Sequence, residues 1–305
     1  MTRTRPPRLR EGDTVAIVSP AGPVDPDQLA DGVAELKSWG LDVRVGEHAL
    51  DRHPRLPYLA GRDADRASDL QNAWCDPTVD AVLCARGGYG AQRVLDLLDW
   101  QALAEAGPKV LAGSSDITAL HSAFGSALDL VTLFAPMIAG NLFDTGARDH
   151  LRATLFEPDT VTVLSGPKVA TAEHGTAEGV LCGGTLSLLA ADVGSLDAAP
   201  PPDGSILLLE DIAEAPYRVD RMLTQLLRAG WFTGVAGIAL GSWSGCGTPE
   251  QIYDVVADLL GGLGVPMVWE LGFGHCPDQL TVPLGAHARL DADDGVLTLT
   301  EPALA

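Results

Sequence analysis

From Val15 onward, short apolar runs alternate with stretches whose apolar residues recur every three or four positions. Val15–Ser19 reads as a buried strand that the turn Pro20-Ala-Gly-Pro23 ends. Gln28–Trp39 carries helical spacing, with Leu29, Val33 and Leu36 on one face and Gly40 as the C-cap. The same logic predicts strands at Leu41–Val45, Asp80–Arg86, Lys109–Gly113 and Val131–Phe134. It predicts helices at Ala64–Trp74, at Gln92–Ala106 and from near Asp116. Strands alternating with helices of this length make βαβ units, hence a mostly parallel sheet with right-handed crossovers.

The pattern changes after about Thr145. The region to Gly179 reads as less regular, and Lys168–Thr176 as an exposed connection. A domain boundary is expected there: an N-terminal domain over 1–165, a linker over 166–178 and a C-terminal domain over 179–305. In the second half, Ser205–Glu210, Val235–Gly241 and Val265–Trp269 read as strands. Val219, Met222, Leu223, Leu226 and Leu227 mark the buried stripe of a helix. Ala286–Leu290 and Val296–Thr300 read as a hairpin across Asp291–Gly295. The expected class is α/β, a mostly parallel N-terminal sheet followed by a smaller mixed domain.

Composition narrows the function. The 305 residues are 46% hydrophobic and 20% charged, which suits about two globular domains. Twenty basic residues against 41 acidic give a net charge of −21. That balance lacks the basic footprint of a nucleic-acid binder and repels anionic membranes. The five cysteines (Cys75, Cys84, Cys182, Cys246, Cys276) are odd in number and form no CxxC pair, which fits a reducing cytoplasm. The apolar run Val15–Val18 is too short for a signal peptide, and no stretch is long and apolar enough to span a bilayer.

Four stretches could carry chemistry. Val110–His121 places Ser114, Ser115 and Asp116 where a strand turns into a helix. A serine there projects above the sheet edge, next to the free N–H groups of the new helix. The alternative is that Ser115 or Asp116 only caps the helix. Arg86-Gly-Gly-Tyr-Gly90 also follows a strand, and its glycines would let backbone approach a ligand closely. It matches neither GxGxxG nor a P-loop, so a loop that donates N–H groups to a substrate, with Arg86, Gly87 and Tyr89 as its contacts, is at least as plausible as a nucleotide cradle. Glu210 and Asp211 end an apolar strand, where working carboxylates often sit. His275 lies in Gly272-Phe-Gly-His-Cys276 and suits general-base work; the spacing fits no common zinc pattern. A serine, a carboxylate and a histidine on such loops follow the logic of a serine hydrolase.

At these residues the chain resembles the serine-type LD-carboxypeptidases, also called muramoyltetrapeptide carboxypeptidases. The likeness is carried by ARGGYGAQRVLDLLDW, AGSSDITALH, GGTLSLLA, LLLEDIAEAPYRVDRMLTQL and FGHCPDQLTVPLG, in that order. It implies an N-terminal domain similar to class I glutamine amidotransferases and a partly barrel-like C-terminal domain. It implies Ser115 as nucleophile, His275 as general base, and Glu210 as the residue that orients the histidine, with Glu214 as the alternative. The backbone N–H groups of Gly88 and Asp116 would form the oxyanion hole. The implied reaction removes terminal D-Ala from cytoplasmic murein tetrapeptides during wall recycling, in a homodimer, without metal or organic cofactor. Departures are Ser114 where the family has an aromatic, Thr185 where it has Asn, and Ala135-Pro136 in place of Gly-Pro. Related peptidases that detoxify peptide–nucleotide antibiotics are the first alternative, and a non-catalytic peptide-binding module is the second.

Overall fold

The computed structural model describes residues 3–195 and 200–305. Five short strands form the parallel part of a first sheet: β1 Thr14–Val18, β2 Asp42–Val45, β3 Ala81–Cys84, β4 Val110–Gly113 and β5 Thr132–Phe134. Their order is β2-β1-β3-β4-β5. Successive strand residues point to opposite faces, so the sheet has two cores. Val15, Ile17, Leu83 and Ala112 meet Leu29 and Leu36 of α1 (Pro26–Ser38) and Leu151 and Leu155 of α5 (Thr145–Phe156). Ala16, Val18, Val82 and Leu111 meet α2 (Asp63–Cys75), α3 (Trp100–Glu105) and α4 (Thr118–Ala127) on the other face.

The second sheet has eight strands. They are β6 Val163–Leu164, β7 Ala170–Glu173, β8 Thr176–Thr185, β9 Ile206–Ile212, β10 Gly237–Ser244, β11 Met267–Trp269, β13 His287–Asp291 and β14 Val296–Leu299. The order β6-β14-β13-β8-β9-β10-β11-β7 keeps β8 to β11 parallel and makes the flanks antiparallel. Helices α6 (Leu186–Asp192), α7 (Pro216–Arg228) and α8 (Pro249–Leu260) cover one face. The opposite face packs on the edge of the first sheet, where Phe273 meets Phe134 edge-on at 5.9 Å. There β12 (Val282–Leu284) leaves the second half of the chain and pairs antiparallel with β5.

The strands and helices expected in the first half are present, with one correction. Gln92–Ala106 is a 3₁₀ turn over Ala91–Leu97 followed by α3, because Leu98 is extended and Asp99 caps a new helix through the Ala102 N–H. The region expected to be irregular holds α5, capped by Asp144 through the Ala147 N–H. Lys168–Thr176 is likewise no free connection: it carries β7, which pairs with β11. That strand closes a sheet edge and is half-exposed, so its sequence lacks an apolar run.

Candidate active site

In a parallel sheet ordered 2-1-3-4-5, ligands bind beyond the carboxyl ends of the strands, near the β1/β3 switch in direction. Three loops meet there. The Gly22 N–H after β1 donates to the Gly87 carbonyl after β3 at 2.9 Å. A Cβ on Gly22 would stand 2.7 Å from that carbonyl oxygen, and one on Gly87 would stand 2.8 Å from the Ser115 Cβ. Only glycine permits this stack of loops. Because the peptide is trans, the Gly88 N–H points away from Gly22.

Ser115 occupies the turn from β4 into α4. Its φ is 57°, left-handed, while Ser114 before it is extended. Every residue from Lys109 to His121 is buried except Ser115, which is half-buried. Of the two serines, the second is therefore the one presented. Helix capping is not its role: no side-chain cap is recorded for this turn or for α4. Asp116 reaches across to the Gly90–Ala91 peptide and accepts the Ala91 N–H at 2.7 Å. Burial pushes its pKa up to about 6, against the pull of that N–H and of the Arg66 charge. Arg66, on α2 and 1% exposed, donates to the carbonyls of Pro20 and Gly90. Asp116 and Arg66 thus grip the Gly90 end of the Arg86–Gly90 loop from two sides. The Asp116 N–H belongs to a first helical turn and has no partner within it.

The second sheet brings its own groups to the carboxyl ends of β8 and β9. Glu210 is fully buried, so its charge must be compensated. Its Oε2 accepts from His275 Nδ1 at 2.7 Å and from the His275 N–H at 3.2 Å. Its Oε1 accepts from the Thr185 hydroxyl. With Nδ1–H spent on Glu210, the tautomer leaves His275 Nε2 as the basic nitrogen. Burial alone would lower the His275 pKa; the Glu210 hydrogen bond and the charges of Glu210 and Asp211 outweigh it and leave the value raised. Asp211 points to the other face, where it accepts the Ser187 N–H at 2.8 Å. Glu214 pairs with Arg218 at 3.4 Å. The carboxylate on His275 is therefore Glu210.

The residues expected to touch substrate line the β3 loop. Gly87 is buried against Ser115; Arg86 and Tyr89 are exposed. Arg86 donates to the Pro23 carbonyl, and Tyr89 lies edge-on against Tyr58 at 5.7 Å. The sequence offered no signal for Arg66, a single arginine in an amphipathic helix. Thr118 and Thr185 were legible only as parts of motifs, yet they join the halves: the Thr185 N–H donates to Thr118 Oγ1 at 3.0 Å.

Fold and site together define a two-sheet α/β protein with a serine at a strained strand-to-helix turn and a buried carboxylate bonded to a half-buried imidazole. Residues 15–135 match the LD-carboxypeptidase N-terminal domain and residues 178–290 its C-terminal domain. A Streptomyces coelicolor protein that bears a carboxypeptidase name is 57% identical over 302 residues, covering 98% of this chain and 97% of its own. The murein tetrapeptide carboxypeptidase of Pseudomonas aeruginosa is 34% identical over 295 residues, 92% of this chain and 93% of its own. The structure of MccF in complex with glutamyl sulfamoyl guanosine superposes with a TM-score of 0.87 over 99% of both chains, at 22% identity, a likeness of fold. This chain belongs to the LD-carboxypeptidase family.

One glycine tests the packing of the pair. Gly274 has φ +92°, and a Cβ there would lie 2.5 Å from Glu210 Oε2. Gly274→Ala should lower turnover about 100-fold by displacing the carboxylate. It should also cost upward of about 1 kcal/mol in urea unfolding. Gly12→Ala is the control: φ is +89° with nothing within 4 Å of the new Cβ, so stability should fall and turnover stay.

Proposed function

We propose that this chain is a serine carboxypeptidase that hydrolyses the bond between an L-centred diamino acid and the terminal D-Ala of murein tetrapeptides. The observation that carries the reading is the Glu210–His275 pair, fixed by two contacts to one carboxylate oxygen. Ser115 Oγ attacks the scissile carbonyl carbon while His275 Nε2 takes the hydroxyl proton. Glu210 stabilises the imidazolium, and the N–H groups of Gly88 and Asp116 hold the oxyanion. The C–N bond breaks, and D-Ala leaves with the proton from His275. Water then attacks the Ser115 ester, giving its proton to His275, which returns it to Ser115. Arg86, Gly87 and Tyr89 contact the peptide.

The name of the Pseudomonas aeruginosa relative supports the murein substrate. All five cysteines are free, which suits wall recycling in a reducing cytoplasm. No helix of the described residues is long and apolar enough to cross a membrane. The reading includes a homodimer, to be checked by light scattering. The test supplies two substrates in parallel: L-Ala-γ-D-Glu-diaminopimelate-D-Ala and a glutamyl sulfamoyl nucleoside. D-Ala release with the nucleoside left intact is expected. Cleavage of the nucleoside alone would move the chain to the antibiotic-detoxifying peptidases. Turnover of neither would point to a binding module.

A further inference from the structure

Ser115 belongs to the first sheet, and Glu210 and His275 to the second, so something must fix one against the other. We propose that Thr185 and Thr118 form a positioning strut that sets the Glu210–His275 pair in register with the Ser115 turn. This rests on the serine-hydrolase reading above.

Thr185 is the last residue of β8 and stands opposite Glu210 in the parallel pair β8/β9. It is 2% exposed and uses both of its donors in different directions. The side chain donates to Glu210 Oε1, the oxygen that His275 does not use. The backbone N–H donates to Thr118 Oγ1. Thr118 is 1% exposed and opens α4, three residues after Ser115. A continuous path of hydrogen bonds and helix backbone therefore runs from the serine turn to the imidazole. The elements touch closely here: Gly184 has φ +142°, and a Cβ on it would lie 2.7 Å from Thr118 Oγ1.

The division of labour on Glu210 explains why the hydroxyl matters. With Oε1 held by Thr185, the carboxylate has one free orientation, and Oε2 is presented to His275. Without that donor, Oε1 is a buried acceptor left unsatisfied, and the carboxylate turns to seek another partner. His275 then loses the contact that raises its pKa. Thr185 touches no substrate in this scheme; it acts through Glu210.

The experiment measures the rate at which a fluorophosphonate labels Ser115, by intact mass, from pH 5 to 9. This readout needs no peptide substrate. Thr185→Val should label about 100-fold more slowly, with its acid limb moved to lower pH, and Thr185→Ser should restore both. Thr118→Val should also slow labelling, and the double variant should lose less than the product of the two single losses, because both act on one path. Should Thr185→Val fail to fold, Thr118→Val against Thr118→Ser carries the same test. Unaltered rate and pH profile in folded Thr185→Val or Thr118→Val would overturn the strut. An equal loss in Thr185→Ser, or a lower melting temperature with no pH shift, would reduce Thr185 to packing and overturn it too. No labelling of the unaltered chain would overturn the serine reading, and the strut with it.

Discussion

Ser115→Ala should lose about 10⁴- to 10⁶-fold in kcat for D-Ala release, and Ser115→Gly should lose as much. The two variants should nevertheless part in stability. Residue 115 is held at φ 57°. A Cβ in that conformation costs about 1–2 kcal/mol, and only glycine escapes it. The alanine variant keeps the Cβ and the strain, so it should unfold at the same urea concentration as the parent. The glycine variant sheds the strain but frees the unfolded chain, which returns part of the gain. A net advantage of about 1 kcal/mol over alanine is expected. Strain of this kind persists because its surroundings over-determine it, here through Gly87 packed on the serine and Asp116 tied to Ala91. Near-full activity in Ser115→Ala would remove the serine from the mechanism. A glycine variant less stable than alanine would show that the turn stores no strain.

Glu210→Gln should lower kcat about 10⁴-fold with little change in KM, because the carboxylate acts when the imidazolium forms. Its second effect is on pH. His275 must be neutral to take the proton, and its pKa is raised above the ordinary 6.5, chiefly by Glu210 working against burial. The acid limb of kcat/KM should therefore lie above 6.5 in the parent and move to lower pH in Glu210→Gln, where only the Asp211 charge still opposes burial. Stability has a matching sign. A histidine with a raised folded pKa stabilises the protein fully below its unfolded value, and that contribution fades as pH rises through the folded value. Thermal unfolding between pH 5.5 and 8.5 should show this fall in the parent and lose it in Glu210→Gln. An unmoved acid limb would mean that a different group sets it.

The first sheet was legible because all but its edge strand β2 are buried on both faces and so read as continuous apolar runs, as in Ala81–Cys84 and Val110–Gly113. Helix α5 was less so: its buried stripe of Ala147, Leu151 and Leu155 is diluted by exposed and half-buried polar residues. The break at Leu98 depends on Asp99 finding the Ala102 N–H, a choice that a smooth apolar spacing hides. At the site, Ser115 and His275 announced themselves through glycines that loosen the backbone beside them. The choice between Glu210 and Glu214 needed three dimensions, since one lies near the end of β9 and the other just beyond it, and only Glu210 turns toward His275. Thr185 stood out only as a departure from a pattern, because no spacing reveals that its two donors face different sheets.

The return of β12 to the first sheet has a consequence for how the protein is made. Synthesis runs from the N-terminus, and domains ordinarily fold as they emerge. Here β5 waits for Val282–Leu284, which emerge only after another 148 residues (282 − 134) have followed Phe134. Until then its edge is open and Phe134 lacks Phe273. The chain has also already delivered Glu210 and His275 by that point, so the sheet that carries Ser115 is closed only after both of those residues exist. A nascent chain cut short before His275 would carry the serine turn on an unfinished sheet, exposed to chaperones and proteases, and would lack the imidazole that the proposed mechanism needs.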